Sequence, residues 1–174
     1  MKKNIENLKL ETKRLVIRPL QEEDYTGLMV LDMDPVVRSF FPEGPLDEAQ
    51  VRKELDRYLR EWATLGFGIF AILEKDSNHF IGRAGFAKLD SGIVEFGYLI
   101  LKEYWGKGIA TEAAQSILEW GLHNIPIDRI IGFAPSNHIA SIRVLEKCGM
   151  KYFKSDTYQD IACVFYEKKT YISS

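Results

Sequence analysis

The chain has 174 residues, of which 46% are hydrophobic and 28% are charged, and its formal net charge is −2. This length suits one domain whose core needs no disulfide or structural metal, and the charge lacks the basic excess of a nucleic-acid-binding protein. The cysteines, Cys148 and Cys163, are too few for a secreted disulfide framework and are expected to be reduced core thiols. His79, His123 and His138 lack the spacing of a zinc site, so no metal is predicted.

The first residues predict a cytoplasmic protein. Met1-Lys2-Lys3 is followed by polar residues and not by an apolar stretch long enough for a signal peptide. No run approaches the ~20 apolar residues of a membrane span. We therefore expect neither a membrane nor a nucleic-acid partner, and the sequence leaves monomer and homodimer both open.

The first half of the chain predicts a strand, two helices and three further strands. The strand covers residues 8–20, and the first helix covers residues 22–33, ending before Asp34-Pro35. The second helix begins at Asp47, a good N-cap residue, and ends at Gly66. Short polar turns then separate apolar runs, which favours an antiparallel meander of strands 68–74, 80–88 and 93–101.

The second half predicts a helix, a strand, a helix and a final pair of strands. The first helix runs from Gly108 to about His123, and a buried strand follows over residues 127–134. The second helix covers residues 140–148 and is closed by Gly149, after which the strand pair begins near Tyr152. This order predicts an α+β (mixed α/β) domain around one sheet, spanning residues 1–174 with a core of about 8–170.

The stretch from Glu95 to Ala113 is the part of the sequence most typical of a ligand site. A strand runs into a loop with Gly106 and Gly108, and this loop opens directly into an alanine-rich helix. Glycines let backbone N–H groups approach a ligand, and the first helical turn offers unpaired donors at the positive end of its dipole, which Glu112 complements. These features predict an anion site that suits a pyrophosphate.

Other phosphate-binding loops do not match these residues. Thr111 takes the third glycine position of a GxGxxG dinucleotide fingerprint, and no GxxxxGK followed by Ser or Thr is present. A plain strand-loop-helix connection, with glycines only for turning, remains the alternative.

Three motifs, in the same order along the chain, resemble the GNAT superfamily of N-acetyltransferases. Residues 105–110, WGKGIA, are similar to the [Gln/Arg]-x-x-Gly-x-[Gly/Ala] acetyl-CoA motif, with Trp105 in place of Gln or Arg. Residues 137–141 and 145–150 resemble the second cofactor segment of the family. Residues 11–18, ETKRLVIR, resemble the opening strand of the branch that includes the ribosomal-protein acetyltransferases RimJ and RimL.

The resemblance implies a GNAT-like fold and an acetyl-CoA-dependent N-acetyltransferase. The fold would be a mostly antiparallel sheet of about seven strands, splayed between strands 4 and 5 and flanked by about four helices. The acetyl group would pass to a primary amine, either a protein N-terminus or a small amine. The alternative is a module that binds acetyl-CoA as a signal and catalyses nothing.

The resemblance also assigns residues to acetyl-CoA. The pyrophosphate would rest on the amides of the glycine loop, and the pantetheine arm would pair with a bulge in the fourth strand, where an amide could also bind the thioester oxygen. Asn137 and Ser141, four residues apart on one helical face, would reach the same arm. For Lys107, an ordinary surface position is equally open. The residues assigned to the cofactor are Tyr98, Leu99, Ile100, Gly106, Lys107, Gly108, Ile109, Ala110, Thr111, Asn137 and Ser141.

Glu95 is predicted to be the catalytic base. An amine is mostly protonated at neutral pH and must lose a proton before it attacks a thioester. Glu95 precedes the expected bulge among apolar residues, and partial burial raises the basicity of a carboxylate. The alternative is a structural glutamate on an open face or paired with Arg83.

The acid that protonates the departing thiolate is left open. Leu145 occupies the place where many family members have a tyrosine, so Ser141, Tyr98 or water are the candidates, and Ser141 is assigned as the second catalytic residue. Direct attack in a ternary complex is expected instead of an acetylated Cys148, because this cysteine lacks a local histidine or cation.

Acceptor contacts are expected from residues 25–62 and from residues 158–166. The aromatic side chains in the first range would line a cleft or pack in the core, and core packing is favoured for each of them. They are Phe40, Phe41, Tyr58 and Trp62.

Overall fold

The computed structural model describes residues 5–171, so the outermost residues of the predicted domain lie outside the described part. The strands are β1 Leu10–Glu11, β2 Leu15–Pro19, β3 Ile69–Glu74, β4 Phe80–Lys88, β5 Val94–Ile100, β6 Arg129–Pro135, β7 Lys151–Tyr158 and β8 Ile161–Lys169. The helices are α1 Tyr25–Asp32, α2 Glu48–Leu65, α3 Ile109–Asn124 and α4 Ile139–Lys147.

The predicted strand over residues 8–20 is two strands. Thr12 turns the chain between them: its N–H donates to the carbonyl of Leu15 at 3.0 Å, and its hydroxyl accepts from the N–H of Leu15 at 3.1 Å. The sheet therefore has eight strands where about seven were expected. The predicted helix over residues 22–33 likewise begins as a 3-10 turn, Glu22–Asp24, before α1.

The strands lie in the order β1-β2-β3-β4-β5-β6-β8-β7. Every neighbouring pair is antiparallel except β5 and β6, which are parallel. These are the fourth and fifth strands of the sequence-based order, between which the splay was predicted. Their pairing stops after Glu95 and Ile131, so the splay is confirmed.

The bulge predicted at Tyr98, Leu99 and Ile100 is not found in the pairing of β5 with β4. That ladder keeps one register from Lys88 opposite Val94 to Gly82 opposite Ile100. Beyond Glu95, β5 keeps its pairing with β4 as far as Ile100, while β6 keeps its pairing with β8 as far as Pro135.

The helices pack on the sheet through the apolar faces that the sequence predicts. α2 starts at Asp47, whose carboxylate accepts from the N–H of Gln50 at 2.8 Å, and ends at Gly66 in the left-handed conformation. α3 approaches the sheet closely, since a Cβ on Gly121 would lie 2.3 Å from the ring of Phe86. This contact fixes the position of α3, whose first turn forms part of the site below. Among residues 5–171, no helix is long and apolar enough to span a bilayer.

Candidate active site

The site begins where β5 and β6 separate. The two strands pair only through Val94 with Ile130 and Glu95 with Ile131 in the described chain. β5 continues to Ile100, and its edge toward β6 is unpaired beyond Glu95. Free backbone groups on the facing edges allow an extended ligand to pair there as an added strand.

The glycine loop, Gly106 to Gly108, connects this opening to α3. Gly106 has φ +71° and Gly108 has φ +75°, both in the left-handed region that favours glycine. Nothing lies within 4 Å of the position that a Cβ on Gly106 would take. One side of the loop is therefore open to a ligand.

The backbone N–H groups from Gly106 to Thr111 have no hydrogen-bond acceptor within residues 5–171. The next N–H, that of Glu112, donates to the carbonyl of Gly108 at 3.0 Å and starts the helical ladder. Successive free donors at the positive end of a helix favour an anion. This arrangement fits the diphosphate of acetyl-CoA without a side-chain cation.

Trp105 and Lys107 take up defined positions beside the loop. The indole N–H of Trp105 donates to the carbonyl of Ile100 at 2.8 Å, and this tryptophan is 48% exposed. The Lys107 ammonium lies 5.6 Å from the centre of the Tyr104 ring, which is a cation–π distance. Its role beside the phosphates stays a prediction.

Glu112 joins the first turn of α3 to the chain that enters β2. It accepts hydrogen bonds from the Thr12 hydroxyl at 2.6 Å, the Arg14 N–H at 2.9 Å and the Arg14 Nε at 2.7 Å. Burial acts to raise the pKa of Glu112, but these hydrogen bonds outweigh it and hold the pKa below its ordinary value. Sequence reasoning missed this junction, because its partners are 98 residues apart.

Asn137 and Ser141 do not share a helical face. α4 begins at Ile139 after His138, so Asn137 lies in the preceding turn. The turn forms because the N–H of His138 donates back to the carbonyl of Pro135 at 2.9 Å. Asn137 also lines a cleft that is described below, and its contact with the pantetheine arm stays a prediction.

Ser141 lies beside Tyr98, within hydrogen-bonding reach of the phenol. Burial raises the pKa of Tyr98, and the hydrogen bond with Ser141 opposes this only in part. The phenol therefore holds its proton at neutral pH. The two side chains form a hydroxyl pair at the opening between β5 and β6.

Neither Leu145 nor Cys148 offers reactive chemistry. Leu145 is buried against β6, where a Cβ on Gly132 would lie 2.9 Å from its methyl group. Cys148 is buried, and burial raises the pKa of its thiol to about 11, although Lys168 acts to lower it. A thiol that is protonated at neutral pH is a poor nucleophile, which agrees with a packed cysteine.

Glu95 is half-buried at the last position of β5 that pairs with β6. Burial raises the pKa of its carboxyl to about 7. Within residues 5–171 the carboxylate has no hydrogen bond or ion pair, and Arg83, its alternative partner, pairs with Asp32 at 2.8 Å. A carboxylate with a near-neutral pKa and no cation is suited to accept a proton.

Glu95 and Tyr98 reach the opening from opposite faces of the sheet. Side chains alternate along a strand, so Glu95 shares a face with Leu99, which packs with Leu31 and Val37. Tyr98 packs on the other face, against the core that α3 and α4 cover. The gap between β5 and β6 joins these two faces.

An aromatic cleft of about 280 Å³ lies at the end of β6, where Pro135 shares a face of the sheet with Ile131, the partner of Glu95. Phe40 stacks on His138, with ring centres 3.7 Å apart. Phe40 and Phe41 are 38% and 37% exposed, so the favoured prediction of core packing is wrong for them and right for the buried Tyr58 and Trp62. The cleft is lined by Ser39, Phe40, Phe41, Pro135, Asn137 and Ile161.

Tyr158, in the predicted acceptor range, lies near two carboxylates. Burial raises the pKa of its phenol, and the negative charges of Glu95 and Glu43 raise it further. The charges of both glutamates therefore act on this phenol.

A buried ion cluster of Asp32, Arg38 and Arg83 supports the wall of the cleft. Asp32 accepts from Arg38 at 3.0 Å and from Arg83 at 2.8 and 3.1 Å. Arg38 also donates to the carbonyl of Gly44 at 2.8 Å and lies 4.3 Å from the centre of the Phe41 ring. Sequence reasoning did not identify this cluster. No group of His, Cys, Asp and Glu side chains in the described range could hold a metal.

Comparisons with known proteins identify the family. An acetyltransferase (GNAT) domain matches residues 14–151. The chain is 31% identical over 143 residues to the uncharacterized N-acetyltransferase YnaD of Bacillus subtilis (strain 168), with 82% of each chain covered.

Two solved structures share the fold at low sequence identity. The first is RimL, a ribosomal L7/L12 alpha-N-protein acetyltransferase in complex with coenzyme A, with TM-score 0.78, 14% identity, and 94% of this chain and 98% of that chain covered. The second is spermidine N-acetyltransferase from Vibrio cholerae with CoA and spermine, with TM-score 0.76, 16% identity, and 91% and 97% covered. The chain therefore belongs to the GNAT family of acetyltransferases, enzymes that use acetyl-CoA.

Proposed function

We propose that residues 1–174 form one acetyltransferase domain that moves the acetyl group of acetyl-CoA to a primary amine by direct attack, with Glu95 as the general base. One observation carries the base assignment. The Glu95 carboxylate has a pKa of about 7, has no cation partner in the described chain and lies where β5 and β6 part.

The residues that would hold acetyl-CoA follow the opening and the loop. The amides from Gly106 to Thr111 bind the diphosphate, and the free edge of β5 at Tyr98, Leu99 and Ile100 pairs with the pantetheine arm. Ser141 lies at the same opening beside Tyr98. When bound, acetyl-CoA supplies the activated acetyl thioester.

Glu95 accepts the proton of the acceptor amine. A base works best when its pKa is close to the working pH, because it is then both deprotonated and sufficiently basic. A pKa of about 7 meets this condition at neutral pH. The amine reaches the carboxylate from the aromatic cleft, on the same side of the sheet.

Tyr98 holds a proton at its phenol oxygen for the departing thiolate, and Ser141 orients it. The phenol stays protonated because burial raises its pKa, and Ser141 lies within hydrogen-bonding reach of it. Acid and base therefore act from opposite faces of the sheet.

The variant Tyr98→Phe should lower kcat by about 10-fold and leave the affinity for CoA unchanged. The effect is smaller than for the base, because a thiolate is a fair leaving group even without a proton donor. Steady-state kinetics and calorimetric titration with CoA measure the two quantities. Tyr171→Phe is the control, because this exposed tyrosine follows β8 and lies near His123 at the far end of α3. An unchanged kcat in Tyr98→Phe would remove Tyr98 from the mechanism.

The aromatic cleft is the proposed entrance for the acceptor. Its volume of about 280 Å³ suits a small amine or the first residues of a peptide. The relatives of this fold include an enzyme for a protein N-terminus and one crystallised with spermine, so both classes belong in the test.

The function is tested by the acetyl-CoA-dependent release of free thiol with a panel of acceptors. The panel contains N-terminal peptides, amino acids, polyamines and aminoglycosides. Turnover with one class supports the proposal and identifies the acceptor. Tight binding of acetyl-CoA without turnover on any acceptor would instead support a non-catalytic sensor.

A further inference from the structure

Arg14 contacts both the glycine loop and the first turn of α3. Its Nη1 donates to the carbonyl of Lys107 at 2.9 Å, and its Nε donates to the carboxylate of Glu112 at 2.7 Å. One planar guanidinium therefore bridges the loop to the helix. A lysine has a single ammonium on a flexible stem and cannot reproduce this fork.

The contact with Lys107 determines which way the next amide points. In a trans peptide the C=O and N–H groups point in opposite directions, and no cis peptide occurs in the described chain. With the Lys107 carbonyl turned to Arg14, the N–H of Gly108 points away from Arg14. It is one of the free donors of the anion site.

The loop needs an outside restraint to keep this orientation. The Lys107–Gly108 peptide turns about ψ of Lys107 and φ of Gly108, and glycine takes positive and negative φ at little cost. A flipped peptide would present the carbonyl oxygen of Lys107 to an anion in place of the N–H of Gly108. The flip would therefore replace an attractive contact with the anion by a repulsive one.

The charge at the junction also suits an anionic ligand. A cation such as Arg14 is unfavourable beside the positive end of a helix when it has no counter-charge. The negative charge of Glu112 compensates for it. Arg14 keeps Nη2 without a partner in residues 5–171, and this atom lies 3.5 Å from where a Cβ on Gly108 would stand. The positive end of α3 thus remains available to a ligand.

We infer that Arg14 is a positioning residue for the diphosphate of acetyl-CoA, which it serves by holding the Lys107–Gly108 peptide with its N–H toward the ligand. This inference rests on the proposed function. It predicts that loss of Arg14 weakens cofactor binding through the loop and leaves the chemical step intact.

The test compares the affinities of CoA and dephospho-CoA in Arg14 variants. Both ligands carry the diphosphate, and only CoA carries the 3′-phosphate. Titration calorimetry gives each Kd, and quenching of Trp105, which is half-exposed beside the loop, gives an independent value. If the wild type binds neither ligand, the proposed function itself fails, and this result is distinct from a failure of the Arg14 inference.

Arg14→Gln should bind both ligands about 10-fold more weakly or worse, because charge-assisted hydrogen bonds hold the loop. The KM for acetyl-CoA should rise with kcat unchanged, since only binding is affected. Arg14→Lys should recover only part of the affinity, because it can reach one partner and not both.

Two controls separate positioning from loss of stability. Thr12→Val removes a hydrogen bond to Glu112 from the same junction and leaves the contact of Arg14 with Lys107. Arg52→Gln removes a surface arginine that pairs with Asp56 on α2. Both should bind CoA like the wild type, even where Thr12→Val lowers the melting temperature.

Three results would overturn the inference. Arg14→Gln could bind both ligands like the wild type, which would show that the loop needs no restraint. It could lose affinity for CoA alone, which would place Arg14 at the 3′-phosphate. Thr12→Val could weaken binding as much as Arg14→Gln, which would reduce the effect to a general loosening of the junction.

Discussion

Replacing Glu95 with glutamine should lower kcat about 10²- to 10⁴-fold, the range expected when a general base is removed. Glutamine has nearly the same shape but cannot accept a proton. The affinity for CoA should not change, because Glu95 lies on the acceptor side of the sheet. Steady-state kinetics with the acceptor found in the panel, together with calorimetry for CoA, test both statements.

The pH dependence provides a second test of the same residue. Burial raises the pKa of Glu95 to about 7, and only the deprotonated form can act as a base. The kcat/KM of the wild type should therefore rise as the pH increases through about 7 and then level off until another group titrates. In Glu95→Gln the residual activity should lack this limb.

The same pKa predicts that folding stability, unlike activity, falls as the pH rises. A carboxyl with an ordinary pKa of 4.5 when unfolded and about 7 when folded binds more protons in the folded state between these values, so folding stability falls as the pH rises through this window. The loss is at most ~3.5 kcal/mol, from about 1.4 kcal/mol per pKa unit. At pH 8 Glu95→Gln should then be at least as stable as the wild type.

The control is Glu119→Gln, which removes an exposed carboxylate on α3. It should retain wild-type kcat and the wild-type pH profile. If Glu95→Gln kept full activity and the rising limb near pH 7, the base would have to be another group. If it lost activity together with stability, the loss would reflect misfolding.

Asp32→Asn should destabilise the fold by about 3–5 kcal/mol, the usual cost of breaking a buried ion pair. Asp32 is 2% exposed and is the shared acceptor of two buried guanidinium groups, those of Arg38 and Arg83. Asparagine has nearly the same volume as aspartate but no charge, so the positive charges of both guanidinium groups are left uncompensated. Urea denaturation measures the change in the free energy of unfolding.

Asp32→Asn should also weaken the binding of the acceptor more than the binding of the cofactor. Arg38 anchors the segment over residues 33–47 through Gly44 and contacts Phe41, so its release loosens the wall of the aromatic cleft. The KM for the acceptor should rise, whereas the Kd for CoA should stay close to that of the wild type. Equal losses for both ligands would contradict a local role.

The pH dependence of this contribution has the opposite sign to that of Glu95. Burial alone would raise the pKa of Asp32, but Arg83 and Arg38 outweigh it and hold the pKa below its usual value. The stabilisation is therefore present above the ordinary pKa of Asp and is lost as the pH falls through the lower folded value. Asp156→Asn, which removes an exposed ion pair with Lys154, is the control and should leave stability almost unchanged.

The features that could be predicted from sequence are those made by neighbouring residues. Glycine at positions 106 and 108, directly before an alanine-rich helix, predicts free amides at a helix start, and those amides are unpaired in the described structure. Glu95 could be proposed for a similar reason, because its apolar neighbours predict partial burial. Local sequence was sufficient in both cases since the property depends on the backbone or on adjacent side chains.

The sequence-based predictions were wrong where the position of a side chain depended on how the chain turns in three dimensions. Asn137 was placed on the face of a helix, but Pro135 and the turn after it delay the start of α4 to Ile139. Phe40 and Phe41 were expected in the core, yet the turn that carries them lies over the cleft, and Phe40 finds its partner in His138. A hydrophobic side chain gains by burial, but sequence does not say which surface will cover it.

The sequence by itself determined the family motifs, the order of the elements, the anion site at the start of α3 and the candidate base. Only the tertiary structure decided which groups meet at the site. Arg14 and Glu112 are 98 residues apart, and Asp32 and Arg83 are 51 residues apart, yet each pair is in direct contact. Electrostatic and hydrogen-bond energies depend on distances in space, and these follow from the separation of β5 from β6 and the packing of the helices, which no local pattern encodes.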